Sequence, residues 1–509
     1  MTDEALLTGI DIGTTNIKAI VFDIMGQIVA EASVPTPIHY PKPGWAYYDP
    51  HELWQATSTV LRRTSEQVTD PARIASVAVA SAGEAGVPLD VHGQPTYEAI
   101  AWFDQRTQPQ VAWLATSIGK ERLFDISGLS LQPIFGLCKL LWIKENEPDA
   151  FGRTVRWLNL ADYIAYRLCG VPATDYSLAS RTLALDLRHL QWHAELIKEI
   201  GMPPDLFAPL CGSGTRLGPV KSEAARETGL PTSAQVSAGG HDHVCGALAI
   251  GVTEPGLVLN SLGTAEAIFV PLEKPLTDPK MSRQGYTQGA HVVADHYYVL
   301  AGLYTSGACV DWLRDILGEA VDYATLIAEA EQIAPGSLGA YFLPHLRIAN
   351  PPHDDPKSHG AFIGLSTDVK RGALFRSVLE GLAYEARLSL ETLLDYPGMA
   401  KVHQIYTIGG GTRNSLLMQI KASVFKQTIT VINITEATTL GAAILGGLGA
   451  GLFADVPSAL AGLSFSQTLV EPDQDQAELY DTYFRQVHQQ VYPALRSLHH
   501  TIDRLGDAY

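Results

Sequence analysis

Two short stretches far apart in the chain, Asp11-Ile12-Gly13-Thr14-Thr15 and Ser261-Leu262-Gly263-Thr264-Ala265, repeat one local design. Each follows an apolar run with strand character, residues 6–12 and 256–262, and each leads into another, residues 17–22 and 267–270. A strand, a tight turn of glycine and hydroxyl residues and a second strand aim backbone N–H and side-chain OH groups at one point, which is a cradle for phosphate oxygens. Two cradles about half a chain apart predict two similar domains closing on one nucleotide.

The length agrees, since 509 residues are too many for one core and call for two or three domains. No run reaches the ~18 uncharged apolar residues of a membrane helix. The acidic start runs straight into a strand and does not read as a signal peptide. Net charge is −18, with 54 acidic against 36 basic residues and no Lys/Arg block, so a nucleic-acid partner is not expected. Cys138, Cys169, Cys211, Cys245 and Cys309 are widely spaced without a C-x-x-C pair, which predicts reduced, mostly buried thiols in a cytoplasmic protein.

Strands at 6–12, 18–23 and 28–33 with turn residues between them predict an antiparallel meander. Pro35, Pro37, Pro41 and Pro43 then force an extended loop, and Asp49-Pro50 starts a helix with Leu53, Trp54, Val60 and Leu61 on one face. A strand at 74–80 completes a mixed α/β domain with a partly antiparallel sheet. Residues from about 106 to 219 read as a mainly helical insertion on that domain. A small, Gly-rich stretch at 246–256 marks the boundary, which gives domains 1–250 and 251–509. Helices at 370–394 and 416–425 flank a strand at 405–408, and polar helix follows residue 457. Neither G-x-x-x-x-G-K-[ST] nor G-x-G-x-x-G occurs, which removes the main support for P-loop and Rossmann folds.

Asp11 beside a phosphate cradle makes sense if Mg²⁺, a hard cation, lies between carboxylate and phosphate, usually through water. Lys18 adds a positive charge near the same turn, and the second cradle needs only its N–H groups and Thr264. Gly239-Gly240-His241-Asp242-His243 places Asp242 at a strand end, where it can accept a proton from a substrate hydroxyl during phosphoryl transfer. His241 and His243 offer too few ligands for zinc and read as pocket walls. Gly409, Gly410 and Gly411 let a flat ligand such as a purine approach the main chain, and Asn414 or Ser415 caps the next helix. The small-residue run 436–447 is expected to pack near the same spot. Glu84, Trp102, Asp104 and Arg106 fall near strand ends of the first domain, with a carboxylate and an indole suited to a sugar; Asp104 and Arg106 could equally form a structural ion pair.

In order along the chain, these segments resemble the FGGY family of carbohydrate kinases, of the actin-like, ribonuclease H-like ATPase superfamily. Residues 11–18 look like its first phosphate motif, 102–107 like W-x-D-x-R-T, 174–187 like T-D-x-S-x-A-S and 239–251 like the segment with the catalytic aspartate. Residues 261–269 are similar to the second phosphate motif, 341–365 and 377–387 to the second-domain signature, and 408–423 and 436–451 to the adenosine region. The likeness spans residues 6–453. It implies two ribonuclease H-like α/β domains with an active-site cleft between them, the first binding sugar and the second ATP. It also implies transfer of the ATP γ-phosphate to a sugar or polyol hydroxyl, with Asp242 as base and Asp11 helping to hold Mg²⁺. Nucleotide contacts would come from Gly13, Thr14, Thr15, Lys18, Gly263, Thr264, Gly409, Gly410, Gly411 and Asn414. Acceptor contacts would come from Glu84, Ala85, Trp102, Asp104, Asp242 and His243.

Xylulose kinases usually carry Q-M-H-G where this chain has Gly83-Glu84-Ala85-Gly86, and Asn where it has His243; G-E-R-x-P becomes Arg347-Ile348-Ala349-Asn350-Pro351. A xylulose-kinase-like pentulose is the expected acceptor, with glycerol, gluconate, ribulose or a four-carbon polyol or ketose as alternatives. The expected partner is that small molecule, with no nucleic acid or membrane surface; a homodimer stays open. A non-catalytic actin-like nucleotide module and a phosphate-ester hydrolase on a ribonuclease H-like fold are the rival classes.

Overall fold

Runs of β-branched and small residues bounded by Gly and Asp build two sheets on one plan. The computed structural model describes residues 4–318 and 321–506. In the first sheet, β1 (Leu6–Ile12), β2 (Asn16–Asp23) and β3 (Ile28–Pro35) form the expected antiparallel meander. β4 (Ile74–Ser81) joins β1 in parallel, β5 (Arg216–Pro219) lies at the far edge, and β6 (Gln235–His241) runs parallel to β4, giving the order β5-β6-β4-β1-β2-β3. The central β1 and β4 are buried along nearly their whole length, whereas edge strand β3 is largely exposed.

The second sheet holds β7 (Leu257–Leu262), β8 (Glu266–Leu272), β9 (Thr287–Ala290), β10 (Tyr297–Leu303), β11 (Gln404–Ile408), β12 (Ile429–Ile432) and β13 (Gln467–Val470), in the order β9-β10-β8-β7-β11-β12-β13. Here β10-β8-β7 is the antiparallel meander, and β11 and β12 follow in parallel. The run β3-β2-β1-β4-β6 therefore matches β10-β8-β7-β11-β12. Beyond these five, β5 adds an antiparallel strand to the first sheet, and β13 and β9 add one at either edge of the second. β13 has no counterpart in the sequence reading because its side chains are mostly exposed and leave no buried alternation.

Helix α1 (Pro50–Gln67) starts as anticipated, with the Asp49 side chain accepting from the His51 and Glu52 amides. The insertion contributes helices Gln108–Leu114, Lys120–Ser127, α2 (Gly136–Asn146) and Leu160–Cys169, together with short strands such as Arg156–Asn159 and Thr174–Asp175. It has its own apolar core around Leu137, Leu140 and Trp142. It also reaches the second half of the chain: Gln288 N donates to Gly128 O, Ser130 Oγ to Tyr286 O and Ala290 N to Ser180 Oγ, each at 2.9 Å.

α3 (Asp242–Ala249) runs into the start of the 246–256 stretch. α4 (Gly307–Leu317), α5 (Arg371–Leu394) and α6 (Ser415–Phe425) pack about the second sheet; α7 (Ala437–Gly449) packs chiefly on the first. It lies on the first sheet and on α3, not beside the Gly409–Gly411 loop as the sequence suggested. A Cβ on Gly9 would stand 1.8 Å from Thr439 O, and one on Gly441 would stand 1.9 Å from Cys245 O. Small residues permit such approach, but they do not name the backbone that is approached. Leu7, Ile20 and Phe22 of the first sheet and Leu259 and Phe269 of the second share one core with Val244, Leu248, Leu440 and Ile444 of these helices. The last described element is helix α8 (Gln489–Gly506).

Cys138, Cys245 and Cys309 are buried, Cys169 and Cys211 partly so, and all five are free. Among the described residues no helix is long and apolar enough to cross a membrane.

Candidate active site

Parallel strands present their carboxyl ends on one edge of a sheet, and both sets of singled-out residues lie on such edges. Register pairs Asp11 with Ala80 and Ile12 with Ser81, and pairs Gly240 and His241 with the same two residues. Asp11, the Gly83–Ala85 turn and Asp242 thus leave the first sheet at one level. In the second sheet Ser261 pairs with Ile408, which sets the Gly263–Thr264 turn beside the Gly409–Gly411 loop.

At the first edge, Gly13 N donates to Asn16 O, and Thr36 Oγ1 to Gly13 O at 2.6 Å, which closes the turn. Trp102 Nε1 donates to Thr14 Oγ1 at 2.8 Å, joining the expected acceptor wall to the first cradle. Lys18 is held by Glu436, just ahead of α7, at 2.8 Å. Burial, and next the charge of Asp242, push the Asp11 carboxyl up to about 7 although Lys18 opposes them. Such an under-compensated carboxylate fits a divalent cation, which would neutralise it together with phosphate oxygens.

Asp242 begins α3 directly after β6. Its Oδ1 accepts from the His243 amide at 2.6 Å and lies 3.0 Å from His243 Nδ1 and 3.3 Å from His241 Nδ1. Burial would raise this carboxyl, but the two imidazoles and the hydrogen bond hold it well below the usual carboxylate range. The Thr174–Ser180 segment braces the turn from behind. Asp175 accepts from Ser177 and from Ser213, and Ser177 Oγ accepts from the His241 amide at 2.9 Å.

Glu84 is nearly buried and accepts from Arg181 Nε at 2.7 Å. Burial acts against its ionisation, yet Arg181 and then His241 hold it strongly acidic. Lys139, fully buried on α2, donates to Glu84 O at 2.5 Å, and burial lowers its pKa to about 7. Neither Arg181 nor Lys139 was singled out from sequence; the only signal is a lone cation inside an apolar or small-residue run. The structure corrects two expectations here. Asp104 is buried, with Oδ2 accepting from Ala46 N and Oδ1 from Arg106 N, so both oxygens serve the wall and not an acceptor. Ala85 is fully buried and offers no polar side-chain atom, and its carbonyl accepts from Leu160 N.

At the second edge a cavity of about 520 Å³ is lined by Gly263, Thr264, Gly410, Gly411, Asn414 and neighbouring apolar side chains, among them Val310 and Leu382. Gly409 backs it in a left-handed conformation (φ 99°), with its Cα hydrogen facing Leu262 O. Asn414 caps α6 by accepting from Leu417 N at 3.1 Å. The expected nucleotide residues therefore fall into two groups, one on each edge.

A doubled α/β fold with cradles on both edges and an aspartate at a helix start is the architecture of an actin-like ATPase. The family models for the N-terminal and C-terminal domains of the FGGY family of carbohydrate kinases match residues 6–249 and 258–450, and the chain belongs to that family. It is 28% identical over 501 residues to a xylulose kinase of Lactococcus lactis subsp. lactis, covering 98% of this chain and 99% of that one. A glycerol kinase of Leifsonia xyli subsp. xyli is 31% identical over 463 residues, covering 88% and 89%. The crystal structure of a xylulose kinase from Rhodospirillum rubrum superposes with a TM-score of 0.90 at 29% identity, covering 97% and 100%. The protein is an ATP- and Mg²⁺-dependent phosphotransferase with an alcohol group of a sugar or polyol as acceptor.

Proposed function

We propose that the acceptor is a pentulose of the xylulose type, that the first half of the chain, to about residue 250, binds it, and that the second half binds ATP. The observation that carries this reading is the full-length match to xylulose kinases in sequence and in fold. Asp242, kept ionised by its two histidines, takes the proton of the attacking hydroxyl as the new O–P bond forms and ADP departs. Glu84, held by Arg181, accepts from acceptor hydroxyls, and Trp102 and His243 complete the pocket. Thr14, Thr15 and Gly13 on one side and Gly263 and Thr264 on the other hold the phosphates, while the Gly409–Gly411 loop and Asn414 hold the nucleoside. Asp11 would hold Mg²⁺ through water, and bound Mg²⁺ would neutralise phosphate charge and orient the γ-phosphate. Closure of the two halves excludes water, which would otherwise compete as acceptor.

The Glu84–Arg181 pair stands in the Gly83–Gly86 turn region where xylulose kinases usually carry Q-M-H-G, and this favours a second reading in which another neutral polyol or ketose is preferred. A coupled ADP-release screen over D-xylulose, ribulose, glycerol, gluconate and four-carbon polyols and ketoses decides between them: the first reading requires the highest kcat/KM with xylulose. The reading places the protein in the cytoplasm without a nucleic-acid partner, in keeping with its net charge of −18. The molar mass in solution tests for a homodimer.

A further inference from the structure

Behind the second-edge cavity one buried carboxylate ties three of its walls together. Glu266 opens β8 just after the Gly263–Ala265 turn and is almost fully buried. Its Oε1 accepts from Lys421 Nζ at 2.6 Å and from Asn260 Nδ2 at 2.7 Å, and its Oε2 accepts from Ser306 Oγ at 3.0 Å. Lys421, also fully buried, lies on α6, whose first turn gives Leu417 to the cavity just after its cap, Asn414. Ser306 lines the cavity at the start of α4, and the amides of residues 306, 307 and 308 donate to the carbonyls of Gly263 and Thr264 at 3.1 Å. The phosphate turn, the start of α4 and α6 are thus joined through one side chain.

A buried ion pair is a poor source of stability, because apolar residues of similar volume serve as well or better once desolvation is counted. Charge-assisted hydrogen bonds do fix angles and separations, which apolar contacts leave loose. We infer that Glu266 and Lys421 are a positioning pair that sets the shape of the nucleotide cavity, so that nucleotide affinity depends on them and acceptor affinity does not. The inference rests on reading that cavity as the nucleotide site.

The test is the apolar double variant Glu266→Leu/Lys421→Met, with ADP binding measured by calorimetry and KM determined for ATP and for the acceptor. The expected result is a weakening of ADP binding and a rise in ATP KM of about tenfold or more, the scale of losing one or two good contacts. Acceptor KM stays close to the parent, and the melting temperature falls only by what Asn260 and Ser306 lose with their shared acceptor. Unchanged ADP affinity in a folded variant overturns the inference, as do equal rises in both KM values with a lowered melting temperature. Should the double variant fail to fold, Glu266→Gln must give the same split between the two KM values, and its absence is equally fatal. Gly410→Val separates the two levels, since Gly410 lines the cavity and a Cβ there meets no heavy atom beyond its chain neighbours within 4 Å. If Gly410→Val leaves ADP binding intact, the cavity reading falls; if it abolishes binding while the Glu266 and Lys421 variants do not, the pair alone is rejected.

Discussion

The contact between α3 and α7 can be tested with one methyl group on each side. In Gly441→Ala the new Cβ would start 1.9 Å from Cys245 O, and real Cβ atoms keep at least 3.0 Å, so the helices must part by about 1.1 Å. Cys245 stands one turn from Asp242 on α3, so the shift is expected to reach the proposed general base. Overpacking of this kind costs about 1–3 kcal/mol, of which replacing Gly by Ala within a helix returns about 1. A misplacement of about 1 Å at a reacting group costs on the order of 10² in rate. The expected variant is therefore folded and only slightly less stable, with kcat lowered about 10²-fold. Gly246→Ala, on the facing helix, is the counterpart: its Cβ would meet Thr438 Oγ1 at 3.7 Å, an ordinary contact. It should gain up to about 1 kcal/mol and keep kcat. Differential scanning calorimetry and steady-state ADP release measure both. A Gly441→Ala enzyme with parental kcat would refute the coupling of this contact to Asp242.

Asp242→Asn should lower kcat by at least ~10² while calorimetric ADP affinity stays near the parent, and retained turnover would remove the general base. Arg181→Met leaves the Glu84 carboxylate buried without its cation. We expect about 3–5 kcal/mol less stability by urea titration and a raised acceptor KM with ATP KM unchanged. Chelation of Mg²⁺ should abolish turnover, and Asp11→Asn should raise the Mg²⁺ concentration needed for half-maximal rate; an unshifted requirement speaks against Asp11. His488 is buried, its Nδ1 bonded to Tyr341 Oη at 2.6 Å, and burial lowers its pKa to about 4 although Glu385 opposes this. The unfolded chain then binds more protons between its ordinary pKa and about 4, so stability is full at neutral pH and falls as pH drops through that window. The loss is at most about 3 kcal/mol. Urea midpoints against pH should show a flatter acid limb for His488→Gln.

Local signals carried much of this structure. The strand at Leu6–Ile12, the Asp49 cap and the strand ending at Ile408 stand where apolar runs, an Asp-Pro pair and a triple glycine put them. The turns at Gly13 and Gly263 were legible for the same reason, since glycine and hydroxyl residues act on their own backbone. What stayed hidden depends on partners distant in sequence. Arg181 and Glu84 are 97 residues apart, and Lys139 meets the Glu84 carbonyl from 55 residues away. Neither meeting leaves a trace in the spacing of either segment. Asp104 read as a sugar contact because a carboxylate beside the Trp102 indole suits one, with an ion pair to Arg106 as the alternative, whereas the Ala46 amide that claims it comes from another loop.

The placement of α7 bears on how the chain matures. Its Gly446 and Gly449 close against Ser76 and Ser237, and its Thr439 against Gly9, so one face of the first sheet is covered by residues translated long after the strands they cover. The leading part of a nascent chain cannot complete its core as it leaves the ribosome, and must wait with Leu7, Ile20 and Phe22 uncovered until residues 437–449 emerge. A gene truncated anywhere before that helix should yield an aggregating fragment, not a working half-enzyme.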